Sequence, residues 1–531
     1  MLNSATMLTL LSLLPFMGAV LCLCVYRQRA VAIYLAETVM LLALALGTLV
    51  AWEHSRTVHD DSGASDASEP RITAIDLKLG RLAEKGPTIS FHIAADGLNI
   101  WLVFLTLAVG TAVVASSADW AGENAGVAMA CLLAAIGFTL LAFLSMDMLV
   151  FYVFFELTLV PVFLLVGLWG GPDRQVAAQR MFLHTLAGGL CTLLGLLAIG
   201  SVAGDFSWAA LKQSSFKADG LLNSSVVFLL LMAGFVVKTP LVPLHTWQAI
   251  TYRQAPTPVT AFLSAVMAKL GLYGMLRLGV FVLPAEMESV GAPVLGTMAV
   301  LSIVVGALCA FGARDIKTLL AYSSLSHLGY VVLGIVSLDP AGEQGALFHM
   351  VAHGVVTTGL LLAAGYIESS EGTLERSRLK GLLGRYPWIA GLFVFFSLAS
   401  VGVPGLSQFV GEFLCLLGFF RSGVSSWLGP IAIAGVMSGL FLGAWYTMTL
   451  IQQSFSGESP EGAAIDGPTT RQLVVLGSMA ALVLWLGIAP SLVLQTSRPE
   501  IKMLERRLQS ATGVVEPRLV VSAGLARPRP E

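Results

Sequence analysis

Seven ionisable residues, Glu156, Lys238, His245, Lys269, His327, His353 and Glu412, stand inside or beside long apolar stretches of this chain. A charged side chain at the centre of a membrane helix costs about 2.5 to 3.5 kcal/mol on insertion scales, so each must face protein or water and have a partner. Glu156 is the one charge between Met148 and Trp169, and Lys269 is as central between Pro258 and Pro284. Lys238 and Glu412 adjoin proline-containing interruptions, where freed carbonyls and cavity water can solvate a proton-carrying group. His327 is mid-span between Lys317 and Val336, and His349 and His353, four residues apart, share one helix face. His245 follows the first interruption, and His184 stands in the sixth apolar run. Histidine exchanges protons near neutral pH, and a desolvated lysine can do so too. The succession Glu, Lys, Lys, His, His, Glu therefore suits a horizontal proton relay, with Glu156 and Lys238 as its switching pair. The competing reading of that pair is a static tie between two helices. It is the weaker one, because pairing buried charges is a poor source of stability.

The surroundings of these residues are those of a lipid-embedded protein. Of the 531 residues, 12% are charged and 56% hydrophobic, with mean hydropathy +0.82, against roughly 25% charged in soluble chains. The net charge of -2 supplies no basic face for nucleic acid. All six cysteines, Cys22, Cys24, Cys131, Cys191, Cys309 and Cys415, fall in apolar runs without zinc, iron–sulfur or haem spacing, and read as small buried hydrophobes. There is no glycine-rich phosphate loop. No nucleotide, flavin or metal is expected on this chain.

Fourteen runs are long enough to cross a bilayer, near 5–25, 31–52, 97–117, 125–145, 148–170, 177–203, 221–247, 258–284, 292–312, 317–337, 344–367, 387–423, 428–453 and 472–494. The first run is read as a span rather than a signal peptide, since no basic residue precedes it and another apolar run follows at once. Residues 53–95 read as a polar surface loop and 495–531 as a polar, flexible tail. Lys238-Thr-Pro240-Leu-Val-Pro243 and Gly402-Val-Pro404-Gly405 each break a helix near mid-membrane. Paired breaks imply two inverted five-helix repeats, 121–290 and 291–455, flanked by N-terminal spans in 1–120 and a final span in 456–494. The fold class is thus all-α, integral and multi-pass. Arg27, Arg29, Arg174, Arg180, Arg253, Arg314, Lys317, Arg376, Arg378, Lys380, Arg385 and Arg471 lie in odd-numbered loops, against Lys212, Lys217 and Arg421 on the terminal side. By the positive-inside rule both termini face outward, although Arg498, Lys502, Arg506, Arg507, Arg518, Arg527 and Arg529 of the tail oppose it.

Six stretches then carry a specific resemblance. They are FFELTLVPVFLLVGLWGG with Glu156, KTPLVPLHTW with Lys238 and His245, AVMAKLGLYGMLR with Lys269, RDIKTLLAYSSLSHLGY with His327, HMVAHG with His353, and ASVGVPGLSQFVGEF with Glu412. In order, and covering nearly everything from Asp96 onward, they resemble the antiporter-like subunits of complex I, and among these the M type. Glu412 carries that distinction, since the L and N types bear lysine there. The resemblance implies a proton-translocating membrane-arm subunit of an NADH-quinone oxidoreductase in the bacterial inner membrane. Glu156 and Lys238 would be the coupling pair, Lys269 the central relay group, His327 and His353 its continuation, and Glu412 the outer terminal group. NADH, FMN, iron–sulfur clusters and quinone would belong to partner subunits, and L-type and N-type chains would be its neighbours. An Mrp-type cation/proton antiporter subunit and a membrane subunit of a related hydrogenase, possessing the same relay or only its scaffold, are the alternatives. The chain departs from the family pattern L-P-D-A-H-x-E-A-P-T at Gln248, Ala249, Ile250, Thr251, Tyr252, Arg253 and Gln254, losing an acid, a histidine and a second acid. Gln408 replaces the usual glycine beside the second break, and Ser377 a loop histidine.

Overall fold

The computed structural model describes residues 3–60, 72–84, 86–118, 120–122, 124–213, 223–458 and 467–512. Lys217 and the tail arginines Arg518, Arg527 and Arg529 lie outside the described residues. Among the described residues, eleven helices have the length and composition to cross a membrane. Three shorter apolar helices, Ile100–Ala115, Ser224–Lys238 and Pro387–Val401, also fall within apolar runs. Two of the three short ones end at the expected breaks.

Polar side chains at the helix ends explain where several spans begin. Asp147 accepts from the Leu149 and Val150 amides at the start of Met148–Leu157 and also from Ser90 N–H at 2.8 Å. Asn223 caps Ser224–Lys238, Asp315 caps Ile316–Val336, and Asp339 caps Pro340–Glu371. Each uses an acceptor oxygen to satisfy amides that the first helical turn leaves free. Close packing comes from small residues, as membrane helices require. Gly188 and Gly234 meet backbone to backbone between Arg174–Ala203 and Ser224–Lys238. Beside them the Thr192 hydroxyl donates to Leu231 O and accepts from Gly234 N, both at 2.9 Å.

Two segments differ from the expectation of polar coil. Within 53–95, the second helix runs on to Asp60, and Ile72–Arg81 pairs antiparallel with Thr88–Ala95. The hairpin is anchored because Ile93, Ala94 and Ala95 are buried and the Asp147 carboxylate holds Ser90. The stretch from 495 is not all flexible tail either, since Ser491–Thr512 is a helix. Its Ile501, Leu504 and Leu508 are buried at helical spacing while its other faces are basic. Glu500 accepts from Gly97 N–H at 3.0 Å, and Trp101 Nε1 donates to Thr496 Oγ1 at 3.0 Å, tying this helix to the start of Ile100–Ala115.

The same end of the molecule contains a buried ion pair, Arg277 to Asp96 at 2.5 Å. Arg277 Nε also donates to Tyr273 Oη at 2.8 Å, and the guanidinium stacks over Trp208. Removing one member leaves an uncompensated buried charge, at a cost of about 3–5 kcal/mol. We therefore expect R277M alone to lower the thermal unfolding midpoint in detergent sharply. The double variant D96L/R277M should recover most of that loss, and equal destabilisation of both variants would refute the charge argument.

A candidate proton pathway

The first break places Lys238 at the last turn of its helix, fully enclosed by protein. The backbone carbonyl that the break exposes, Val237 O, accepts from Trp247 Nε1 at 3.0 Å, and Val242 N–H is taken by Ser302 Oγ at 2.9 Å. The irregular segment is thus satisfied inside the protein, the condition for non-helical backbone at membrane depth. Lys238 Nζ donates to Phe155 O and, at 3.1 Å, to Thr158 Oγ1, and it sits over the Phe155 ring. Glu156, half-buried on the next residue, rests against Gly189, where any side chain would collide with its carboxylate. Glu156 and Lys238 are near enough to feel each other's charge, yet they form no ion pair in this conformation.

His245 is part-buried beyond this break, with no hydrogen-bond partner for Nδ1. His184 keeps to the same lateral face, its Nδ1 beside Arg180 O at 2.8 Å and its Nε2 3.4 Å from Thr246 Oγ1. It is not joined to the central cluster.

Lys269 lies at the heart of the molecule with no measurable exposure. Its helix is irregular on both sides, with π-helical turns at Leu263–Met267 and Met275–Val280. Such turns release backbone carbonyls and recur at functional sites. Here Ser264 O accepts from Lys269 Nζ at 2.7 Å. The second partner is His353 Nδ1 at 2.8 Å. When Lys269 carries its proton it can only donate, so His353 Nδ1 then accepts and the imidazole proton stands on Nε2. Nε2 faces Ser324 Oγ and Thr357 Oγ1, each at 3.3 Å.

From there the path turns toward the second break. The His353 and His327 ring centroids are 5.6 Å apart, and no hydrogen bond joins the two rings in this conformation. His327 Nδ1 meets Glu412 Oε1 at 2.8 Å, and its Nε2 is 3.3 Å from Ser400 Oγ. Gln408 Nε2 reaches the same Nδ1 at 2.9 Å and Glu412 Oε1 at 3.4 Å, and donates to Ser400 O at 3.1 Å. One imidazole nitrogen cannot accept from Gln408 and donate to Glu412 at the same time. The two contacts therefore belong to two protonation states of His327, and the amide gives each a partner. Gln408 also does for Ser400 O what Trp247 does for Val237 O at the other break.

The residues that sequence reasoning missed are mostly hydroxyls. Tyr252, in the altered loop, is buried with its hydroxyl directed at Ser264 and Gln248. Ser264 Oγ is 2.9 Å from Ser324 Oγ, which touches His353 Nε2. A chain Tyr252–Ser264–Ser324–His353 thus stands where the family pattern puts acid and histidine groups. Next to it lies a cavity of about 810 Å³ lined by Arg253, Gln254, Thr257, Arg314, Lys317 and Glu368 among others. Lys317 and Glu368 pair at 2.8 Å on its wall. Serines and a tyrosine are common enough in membrane helices that no motif marks these ones, and only the fold brings them together.

Comparisons with known proteins show the family. Residues 145–441 match the family described as NADH:quinone oxidoreductase/Mrp antiporter, transmembrane. The chain is 34% identical over 440 residues to NADH-quinone oxidoreductase subunit M of Rhodobacter capsulatus, covering 80% of this chain and 84% of that one. It is similar to a chain of respiratory complex I from Thermus thermophilus with bound NADH, with TM-score 0.81 and 28% identity over 94% of this chain and 99% of that one. A chain of the Mrp complex from Dietzia sp. shares the fold, with TM-score 0.79 and 19% identity over 97% and 100% of the two chains.

If the hydroxyl chain feeds His353, then Y252F and S324A should each slow proton pumping about five-fold. That is the kinetic equivalent of one hydrogen bond worth roughly 1 kcal/mol. Dye quenching in inverted membrane vesicles reads the rate, and wild-type rates in both variants would remove the chain from the path. The chain described here belongs to the NADH:quinone oxidoreductase/Mrp antiporter family, as a proton-translocating membrane subunit of the M type.

Proposed function

We propose that protons move along Lys269, His353, His327 and Glu412, and that Glu156 and Lys238 switch this path in response to quinone reduction on partner subunits. The observation that carries the reading is the buried sequence of contacts Lys269–His353 at 2.8 Å, His353–His327 at 5.6 Å between rings, and His327–Glu412 at 2.8 Å. Each member can hold or pass a proton. A proton given by Lys269 to His353 Nδ1 releases another from Nε2, which keeps the transfer directional. Closing Glu156 onto Lys238 would draw the ammonium off Phe155 O and Thr158. Opening would return it, and the change in charge next to the Lys269 helix is the signal.

NADH, FMN, iron–sulfur and quinone chemistry belongs, in this reading, to other subunits, with L-type and N-type chains as neighbours. Support for lateral partners comes from the breaks themselves. Pro243 and Leu244 at one, and Val403, Pro404 and Gly405 at the other, are exposed at membrane depth. Polar backbone in such a position calls for cover by protein. Both termini would face outward from a bacterial inner membrane, as the loop charges suggest.

The test is proton pumping by the assembled complex. K269A should abolish pumping through this subunit with assembly intact. E412K keeps a titratable group and should retain substantial pumping, whereas E412Q keeps the hydrogen bond to His327 but cannot titrate and should block it. If Glu412 merely anchors its broken helix, the order reverses, with E412Q mild and E412K severe.

A further inference from the structure

His349 is a buried histidine that the relay does not use. It has no exposure, and its ring lies 6.1 Å, centroid to centroid, from both His327 and His353. Gly411 makes room for it, because a side chain there would strike the His349 ring and backbone. Neither ring nitrogen has a well-formed hydrogen bond, although the ring lies beside the Gln408 carbonyl. Gln408 Oε1 is likewise buried without a partner. Buried polar atoms left unsatisfied cost about 1–3 kcal/mol each, so a fully buried imidazole among other titratable groups points to something it binds.

The neighbouring donors define its chemistry. One ligand atom from each of His327, His349 and Glu412 falls within 4.8 Å of the other two, and all three residues are buried. Two imidazoles and one carboxylate with an open fourth position suit a borderline cation such as Zn²⁺, not Ca²⁺ or Mg²⁺, which prefer all-oxygen shells. The surroundings resemble an outer coordination shell, in which the second nitrogen of a ligating histidine meets an oxygen. His327 Nε2 has Ser400 Oγ at 3.3 Å, and His349 has the Gln408 carbonyl nearby. Access exists at the second break. Glu412 Oε2 lies against Gly402, and the residues after it are exposed. The three ligands come from three different helices, Ile316–Val336, Pro340–Glu371 and Ser407–Arg421, which is why spacing along the chain carries no metal signature.

We propose that His327, His349 and Glu412 form an inhibitory site for a zinc-class divalent cation, which halts proton transfer by occupying the His327 nitrogen and the Glu412 carboxylate. The halting half of this statement rests on the relay reading above, whereas the site itself does not.

The experiment uses the chelator-washed complex with Zn²⁺ as the probe. Wild type should bind one more tight zinc per chain than H349Q, whose affinity for that ion should fall about ten-fold or more. H349C should retain a ligand and place a sulfur at about 2.3 Å from the metal in X-ray absorption. Equal zinc stoichiometry and affinity in wild type and H349Q, or no metal–sulfur distance in H349C, overturns the site. Zn²⁺ should also inhibit wild-type pumping but spare H349Q, whose pumping without zinc should match wild type. Zinc bound through His349 without inhibition would uphold the site and instead refute the relay.

Discussion

At the centre of this protein a lysine amine is held without a carboxylate in contact. Lys269 is enclosed completely, and its two bonds go to the carbonyl of Ser264 and the imidazole of His353. A fixed charge in such a place is expensive, and a full ion pair would trap the proton. Neutral acceptors avoid both outcomes. They stabilise the charged lysine enough to be formed and leave it free to lose its proton to the histidine. Much of the architecture can be traced to this compromise, beginning with the π-helical turns that free Ser264 O.

The two broken helices apply the same compromise at the ends of the path. Each break puts an ionisable side chain next to irregular backbone, and each is closed by a side-chain donor reaching back to the last helical carbonyls, Trp247 at one and Gln408 at the other. The donors differ in what else they touch. Trp247 is purely structural in its contact, whereas Gln408 also meets His327 and Glu412. A glycine at 408 would leave Ser400 O and the His327–Glu412 contact without that amide. The departure from the family residue is therefore a change in how the exit end is polarised.

Much of this was legible in the sequence, for a physical reason. Charges inside apolar runs are costly, so Glu156, Lys238, Lys269, His327, His353 and Glu412 announce themselves, and prolines mark both breaks. The expectation for Lys269, an interior position, agrees with its burial. Contacts between helices were not legible, since nothing in the chain states that Ser264, Ser324 and Tyr252 converge on His353. The Glu156–Lys238 geometry was also invisible, because the side chains are long enough to be paired or apart on one backbone. The hairpin and the Ser491–Thr512 helix were hidden by composition, their polar faces outweighing Ile93, Ile501, Leu504 and Leu508 in any reading of average polarity. The spacing of those last three was the available signal.

One step in the path has no hydrogen bond to carry it, that between the His353 and His327 rings, whose centroids are 5.6 Å apart. The central claim, a continuous proton path from Lys269 to Glu412, depends on water there. Electron cryomicroscopy of the assembled complex at a resolution that shows ordered solvent is the most direct measurement. The account predicts water density bridging the two imidazoles and continuing to the Glu412 carboxylate. Tightly packed aliphatic side chains around the two rings, with no solvent density, would contradict it.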